Sequence, residues 1–351
     1  MKTTAIHRVI LVMAITALSM TATANSWRIN NDTTQKPDFA DLNAAMSSEA
    51  VQVGDTLYLD PGCALTSNQT ITKQVTIVGC GYLRTDAPHR FAYITGILYL
   101  RAAHIKVEGL IMDGDTYIDA NYCTIERCKT AIIHITSESK YTAQNATIRQ
   151  CYSTRVDGRG AESNNSAFAT IENCIIRYTD YYGPIYNLYT PTVRNNYLKE
   201  TCSNYTDESN STVIKNVKNA TIVNNIIVNT SKNNQLLYSV NSSTVTNNVM
   251  SCAESTYATM KETNRFTNSK DESAIFACKG INEAYYQLKD DSPAKGFAMD
   301  GGDCGPFGGL YPYVLGGLPS GYPYYTKTII APRPDENGKV KVSLQIKIQD
   351  E

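Results

Sequence analysis

One short hydrophobic phrase recurs along this chain. A β-branched residue sits between polar ones and is followed, within three positions, by a thiol, an amide or another compact residue. The phrase occurs as Thr76-Ile77-Val78-Gly79-Cys80, Lys106-Val107-Glu108-Gly109-Leu110, Thr124-Ile125-Glu126-Arg127-Cys128 and Thr147-Ile148-Arg149-Gln150-Cys151. It returns as Thr170-Ile171-Glu172-Asn173-Cys174, Thr192-Val193-Arg194-Asn195-Asn196, Thr221-Ile222-Val223-Asn224-Asn225 and Thr244-Val245-Thr246-Asn247-Asn248. From one β-branched residue to the next the steps are 30, 18, 23, 23, 22, 29 and 23. Strand side chains alternate between faces, so the Ile or Val points inward, its neighbour points outward, and the chain turns at the small or amide residue. An apolar residue returns at the fifth place after the β-branched one, as Met112, Ile176, Leu198, Ile227 and Met250, which predicts a second strand entering the same core. Runs upstream of the phrase, such as Ile97-Leu98-Tyr99-Leu100, Ile185-Tyr186-Asn187-Leu188, Val213-Ile214 and Leu236-Leu237-Tyr238, supply a third. Helical periodicity fits these runs poorly, and a propeller blade needs a repeat of roughly 40 residues. The modal step is therefore one coil of an all-β solenoid built from three-strand coils.

Stacking equal phrases puts equal positions above one another at about 4.8 Å, the spacing between strands. The turn column then reads Cys80, Leu110, Cys128, Cys151, Cys174, Asn196, Asn225, Asn248. Asn suits such a turn because it tolerates left-handed backbone angles and its amide can bond the amide of the next coil. Cys128, Cys151 and Cys174 are expected to pack inward as thiols rather than to form disulfides. Cys63, Cys123, Cys202, Cys252, Cys278 and Cys304 lie off the column, and the sequence does not pair them.

In these phrases the chain resembles right-handed parallel β-helix repeat proteins of the pectate-lyase-like superfamily, of an uncharacterised secreted bacterial type. The resemblance covers roughly residues 51–310. Asp38-Phe39-Ala40 through Gly54-Asp55-Thr56-Leu57-Tyr58-Leu59-Asp60-Pro61-Gly62 is similar to that family's N-terminal cap helix and first strand. The stretches Tyr286-Gln287-Leu288 through Gly296 and Asp303-Cys304-Gly305-Pro306-Phe307-Gly308-Gly309 resemble its closing coil. The resemblance implies the fold; lyases, hydrolases, adhesins and binding proteins all use it, so it implies no single activity.

Around this body, Met1-Lys2, His7-Arg8, the apolar run Val9 to Met20 and Ala22-Thr23-Ala24 read as a signal peptide. The expected organisation is a signal peptide over 1–24, a cap over 25–50, the β-helix over 51–310, and a linker with a C-terminal hairpin over 311–351. The protein is expected to be exported, to the periplasm, the outer surface or the medium, without a transmembrane segment. In the tail, Thr326 to Ile330 and Val340 to Ile348 flank Asn337-Gly338, a strong hairpin signal. The second run alternates, so one face is expected to be buried, along the solenoid in preference to against another chain.

A formal net charge of -1 gives no general attraction to nucleic acid. The 24 tyrosines exceed Phe and Trp together and suit a hydroxyl-rich β surface. No metal spacing accompanies the cysteines, and Asp113-Gly114-Asp115 reads as a polar turn before it reads as a calcium site. No metal or cofactor is assigned; calcium is the one ion the acidic turns leave open. His89, His104 and His134 are scattered and read as structural. Gly-His-Gly and Asn-Thr-Asp, which mark the pectin hydrolases of the resembled superfamily, are missing, and Asp290-Asp291 falls in the closing coil.

The best cluster comes from counting past the turn into the loop that follows it. Arg155 and Tyr178 occupy equal places on adjacent coils, as do Asp157 and Asp180. Arg159, Tyr181 and Tyr182 lie beside them, with Tyr186 and Tyr189 on the next strand. Tyrosine rings could stack on apolar sugar faces while the charges grip hydroxyls or a uronate. A solvated loop with surface salt bridges is the plainer reading of the same residues. The expected function is glycan recognition without an assigned reaction. Its alternatives are a polysaccharide lyase or glycoside hydrolase using Arg155, Asp157, Arg159 and Asp180, or an adhesin or structural spacer.

Overall fold

The computed structural model describes residues 24–82, 91–138, 141–159, 168–178, 182–201, 211–231, 235–280, 282–321, 323–330, 333 and 336–348. Residues 1–23 of the expected signal peptide, His89, Asp180, Tyr181 and Cys202 lie outside these residues, as does the side chain of Arg159.

Among the described residues, ten parallel strands form one sheet in chain order, from Ser26–Ile29 to Thr244–Thr246. Its central column runs Trp27, Leu57, Ile77, Val107, Ile125, Ile148, Ile171, Val193, Ile222, Val245, each in register with the next. Every step counted in the sequence is thus a rung, and the register absorbs the long and short steps alike. The fifth-place residues stack equally well: Met112, Thr130, Ser153, Ile176, Leu198, Ile227 and Met250 form one column of a second face. The upstream runs make the third face, through Leu98, Thr116, Ile133, Val156, Ile185, Ile214 and Leu237. All three columns face one buried core, where stacked β-branched and Leu side chains leave water.

The turn after the first face divides two tasks between neighbouring residues. Left-handed backbone falls on Gly109, Arg127, Gln150, Asn173, Asn195, Asn224 and Asn247, with φ between +53° and +69°. That is one place before the Cys and Asn column, so the column residues are not the left-handed ones the sequence suggested. The kink at the first residue turns the second inward, where Cys128, Cys151, Cys174, Asn196, Asn225 and Asn248 are fully buried. The three cysteines stack as thiols on successive coils. Where the column changes to Asn, Asn196 Oδ1 accepts from Cys174 N, and each later side-chain oxygen takes the backbone N–H and the amide of the coil before it: Asn225 Oδ1 accepts from Asn196 N at 2.9 Å and Asn196 Nδ2 at 3.0 Å. Each amide also donates to a backbone carbonyl, as Asn225 Nδ2 does to Val193 O at 2.8 Å. The ladder ends on Asn264.

The left-handed residues point outward and hold the C-terminal strap. Asn247 donates to Phe297 O, Asn195 to Asp303 O, Asn173 to Pro306 O and Gly308 O, Gln150 to Pro312 O, and Arg127 to Leu318 O. Asn224 Oδ1 accepts from Met299 N. The strap therefore runs back along the coils, opposite to their order, and reaches the first coils where Tyr82 meets Tyr313 and Ser320 N donates to Glu108. A second apolar cluster, containing Ile175, Tyr197, Ile226, Phe276 and Tyr286, seals the closing segment against the outside of the second face.

At the start, a strand and the helix Leu42–Ser47, capped by Asp41, cover the open end of the core. Asp55 fastens this cap. It accepts from Asn25 N, Gln52 N and the indole of Trp27, all within 2.9 Å. Burial works to raise its pKa, but these hydrogen bonds outweigh it and hold the carboxyl below the usual range. At the other end the tail forms the expected antiparallel hairpin, Pro323–Ile330 with Val342–Ile348. The apolar residues of its second strand are not buried against the solenoid as expected: every residue of Val342–Ile348 is exposed. The strap already occupies the turn side of the coils, and the hairpin follows where it ends.

Two outcomes follow for stability. Asn225→Ala leaves two buried donors of Asn196 without an acceptor and is expected to cost about 3 kcal/mol in urea unfolding, with Asn225→Cys costing less because a sulfur can accept weakly. A depressed carboxyl contributes stability above its unfolded pKa and loses it as pH falls through the folded value. Emission from Trp27, the single tryptophan, should therefore shift to the red only as the pH falls below the ordinary carboxylate range, and should be shifted already at neutral pH in Asp55→Asn.

Candidate functional site

Most coils break between the second and third faces, as between Ile175–Tyr178 and Ile185–Tyr186. Lys129–Glu138 and Tyr152–Arg159 do not. Each runs straight through the corner and pairs with strands of both faces. Arg155, Asp157 and Arg159 therefore lie on a strand, not in the loop where sequence counting placed them. The rung neighbours of Asp157 are His134 and Tyr186; Asp180, expected at an equal place, lies outside the described residues.

These rungs belong to one outward column. In register it reads Thr70, Tyr99, Tyr117, His134, Asp157, Tyr186, Lys215 and Tyr238. His134 Nδ1 is 2.6 Å from Asp157 Oδ1, and its Nε2 is 3.3 Å from Oδ2 of Asp115. Arg155 Nε lies 2.8 Å from the other oxygen of Asp157, as an ion-pair contact rather than a straight hydrogen bond, and its Nη1 donates to the Tyr178 hydroxyl at 2.7 Å. His134, Arg155 and Asp157 are each less than a tenth exposed, so the opposite charges of Arg155 and Asp157 are compensated mainly by each other. The guanidinium also lies 5.0 Å from the ring centres of Tyr178 and Tyr182. His134, Arg155, Asp157, Gly158, Tyr182, Tyr186 and Asn187 line an open concavity of about 330 Å³.

The rings meet each other rather than open space. Tyr99 stacks on Tyr117 at 5.2 Å and Tyr117 on His134 at 4.5 Å, because the rung spacing is close to a ring-stacking distance. Ring edges and hydroxyls, not faces, are what this stretch of the column offers a ligand. Tyr182, tilted against Tyr186 at 4.8 Å, stands at the mouth of the concavity. Of the other expected residues, Tyr189 lies beyond it and bridges to Lys218, while the Arg159 backbone pairs with Thr136. Gly114 is fixed by close packing, since a Cβ there would sit 2.3 Å from Gly96 O; this turn aims Asp115 at His134.

Reading His134 as one of several scattered histidines and Asp115 as part of a polar turn leaves their common place unseen, and Lys215 is not singled out by the sequence reading. The signal was present as a dipeptide, an inward residue followed by an aromatic or charged one: Leu98-Tyr99, Ile133-His134, Val156-Asp157, Ile185-Tyr186, Ile214-Lys215, Leu237-Tyr238. His104 sits on an exposed turn, stacked on Tyr122, and Asp290 and Asp291 are exposed beside Lys295 and Lys289. The other dense charge cluster, on the outside of the first face, is structural. Burial works to raise the Glu126 pKa, but Lys106, Arg149 and Arg127 outweigh it, and the strap packs alongside. Burial also pushes the Cys123 thiol to about 11 and the Cys304 thiol to about 12, so neither is a ready nucleophile near neutral pH.

Asp157→Asn strips the compensating charge from buried Arg155 and is expected to destabilise the protein by about 3 kcal/mol. Arg155→Met combined with Asp157→Asn should cost less than the sum of the two changes, and a thermodynamic cycle measured by urea unfolding checks this.

The family model described as right handed beta helix region matches residues 108–271, a span that contains the column from Tyr117 to Tyr238. No curated protein matches the chain. That match and the unbroken parallel rungs make this chain a right-handed parallel β-helix protein.

Proposed function

We propose that the chain is an exported glycan-recognition protein whose ligand lies along the Tyr99-to-Tyr238 column and is gripped at the concavity around His134, Arg155 and Asp157. The observation that carries this is the register itself: hydroxyls, an imidazole, a carboxylate and an ammonium repeat at the rung spacing along one face and cross an open hollow. A polymer of sugars presents hydroxyls repeatedly along its length, and a row of fixed donors and acceptors suits it. Arg155 and Lys215 favour a glycan with carboxylates, since charge-assisted hydrogen bonds are the stronger ones.

A second reading, cleavage of the bound glycan, rests on the 2.6 Å contact between His134 and Asp157. A carboxylate on one ring nitrogen fixes the orientation of an imidazole and suits the other nitrogen to proton transfer. Asp115 stands at that second nitrogen, at the more exposed edge of the site.

Both readings meet in one assay. The purified protein is incubated with neutral and acidic glycans, with and without calcium, and bound glycan, unsaturated products and new reducing ends are measured. Recognition predicts retention of an acidic glycan without products, weakened about tenfold, or roughly 1.4 kcal/mol, by Lys215→Ala or Tyr186→Ala. Products that vanish in His134→Ala and Asp157→Asn would replace recognition by catalysis. Neither binding nor products would reject both.

A further inference from the structure

The carboxylate that fastens the N-terminal cap is held by neutral donors. Asp55 is 1% exposed; its Oδ1 accepts from Asn25 N at 2.7 Å, and its Oδ2 from the Trp27 indole at 2.7 Å and Gln52 N at 2.9 Å. Lys73 is the cation it feels, but that ammonium donates to the carbonyls of Ser48 and Val51. A buried charge without an opposite charge against it is costly. One of the three donors stands at a particular place in the sequence. Ala22-Thr23-Ala24 has the small-x-small form after which a signal peptide is cut, and Asn25 is the next residue. Its backbone is fixed on both sides, since its carbonyl accepts from Thr56 N at 2.9 Å and the strand Ser26–Ile29 begins one residue later.

We infer that hydrolysis of the Ala24–Asn25 bond leaves the α-ammonium of Asn25 on Asp55, an ion pair that only the processed chain can make and that locks the cap onto the solenoid. Water adds across the amide: its oxygen leaves with Ala24 as a carboxylate, and its two hydrogens turn the Asn25 N–H into an ammonium. One N–H keeps the bond to Asp55 Oδ1, which becomes charge-assisted and roughly twice as strong. Asn25 is exposed, which leaves the other two hydrogens to water, so the buried carboxylate gains a cation at a low desolvation cost. With the signal peptide attached, the same contact is a neutral amide hydrogen bond. A cut one residue earlier keeps that neutral amide, and a cut one residue later removes the donor. The inference rests on export, which the function above shares, and not on glycan binding.

The single tryptophan reports the lock, because its indole shares Asp55 with Asn25. Two forms are compared, one beginning at Asn25 and one at Ala24, each released from a fusion by a protease that leaves no extra residue. The indole N–H should exchange with solvent about tenfold more slowly in the form beginning at Asn25, and Asp55→Asn should bring the two forms to one rate. The α-amine of Asn25, followed by NMR in the unsubstituted protein, should keep its proton above the ordinary α-amine range, because Asp55 outweighs the more distant Lys73. Sequencing the chain exported by a bacterial host should return Asn25 first. Equal exchange in the two forms, an α-amine that titrates within its ordinary range, or a different first residue would overturn the inference. Glycan retention is read separately, so loss of one result leaves the other standing.

Discussion

The backbone register between coils governs the rest of this molecule. Each parallel rung ties a residue to its counterpart roughly one coil later, so a side chain's surroundings are set by its place in the coil rather than by its neighbours in sequence. Inward places become continuous columns of Ile, Val and Leu in one core. Outward places become lines of chemistry along the axis. Because all rungs share one spacing, residues some twenty positions apart, such as His134 and Asp157, are brought within hydrogen-bond reach without any loop having to fold over.

The same register explains how the strap is held. A left-handed residue at each first-face turn from Arg127 to Asn247 sends its own side chain outward and its successor's inward. The inward series becomes the Cys and Asn ladder, whose amides satisfy backbone groups that a buried turn would otherwise strand. The outward series becomes a row of donors on which the C-terminal strap lies. Two adjacent residues in each repeat thereby stabilise the structure from opposite sides of the chain.

The fold was legible because its signal is periodic and redundant. Eight phrases specify seven rungs, and the phrase-relative places of Met112, Ile176 and Ile227 specify a second face. The site was only half legible. Arg155, Asp157, Tyr182 and Tyr186 were identified, but Arg155 and Asp157 as part of a loop, because counting from the first-face turn assumes a corner after each second strand. Lys129–Glu138 and Tyr152–Arg159 run through that corner, which moves Asp157 onto the third face beside His134. Whether a strand bends at a corner depends on packing between coils, and a single repeat does not encode it. The hairpin was legible for its turn chemistry. Its exposure was not, because alternation says that a face is apolar and not what covers it.

The account places function on one line of the solenoid, and hydroxyl-radical footprinting of tyrosines with a bound acidic glycan tests that claim most directly. Tyr182 and Tyr238 are 38% and 37% exposed, close to Tyr58 and Tyr311 at 40% and to Tyr122 at 50%, so all five begin with similar access to the reagent. The account predicts that the glycan protects Tyr182 and Tyr238, together with Tyr186, and leaves Tyr58, Tyr122 and Tyr311 as reactive as before. Protection of Tyr58, Tyr122 or Tyr311 in their place would move the ligand to another face and contradict it.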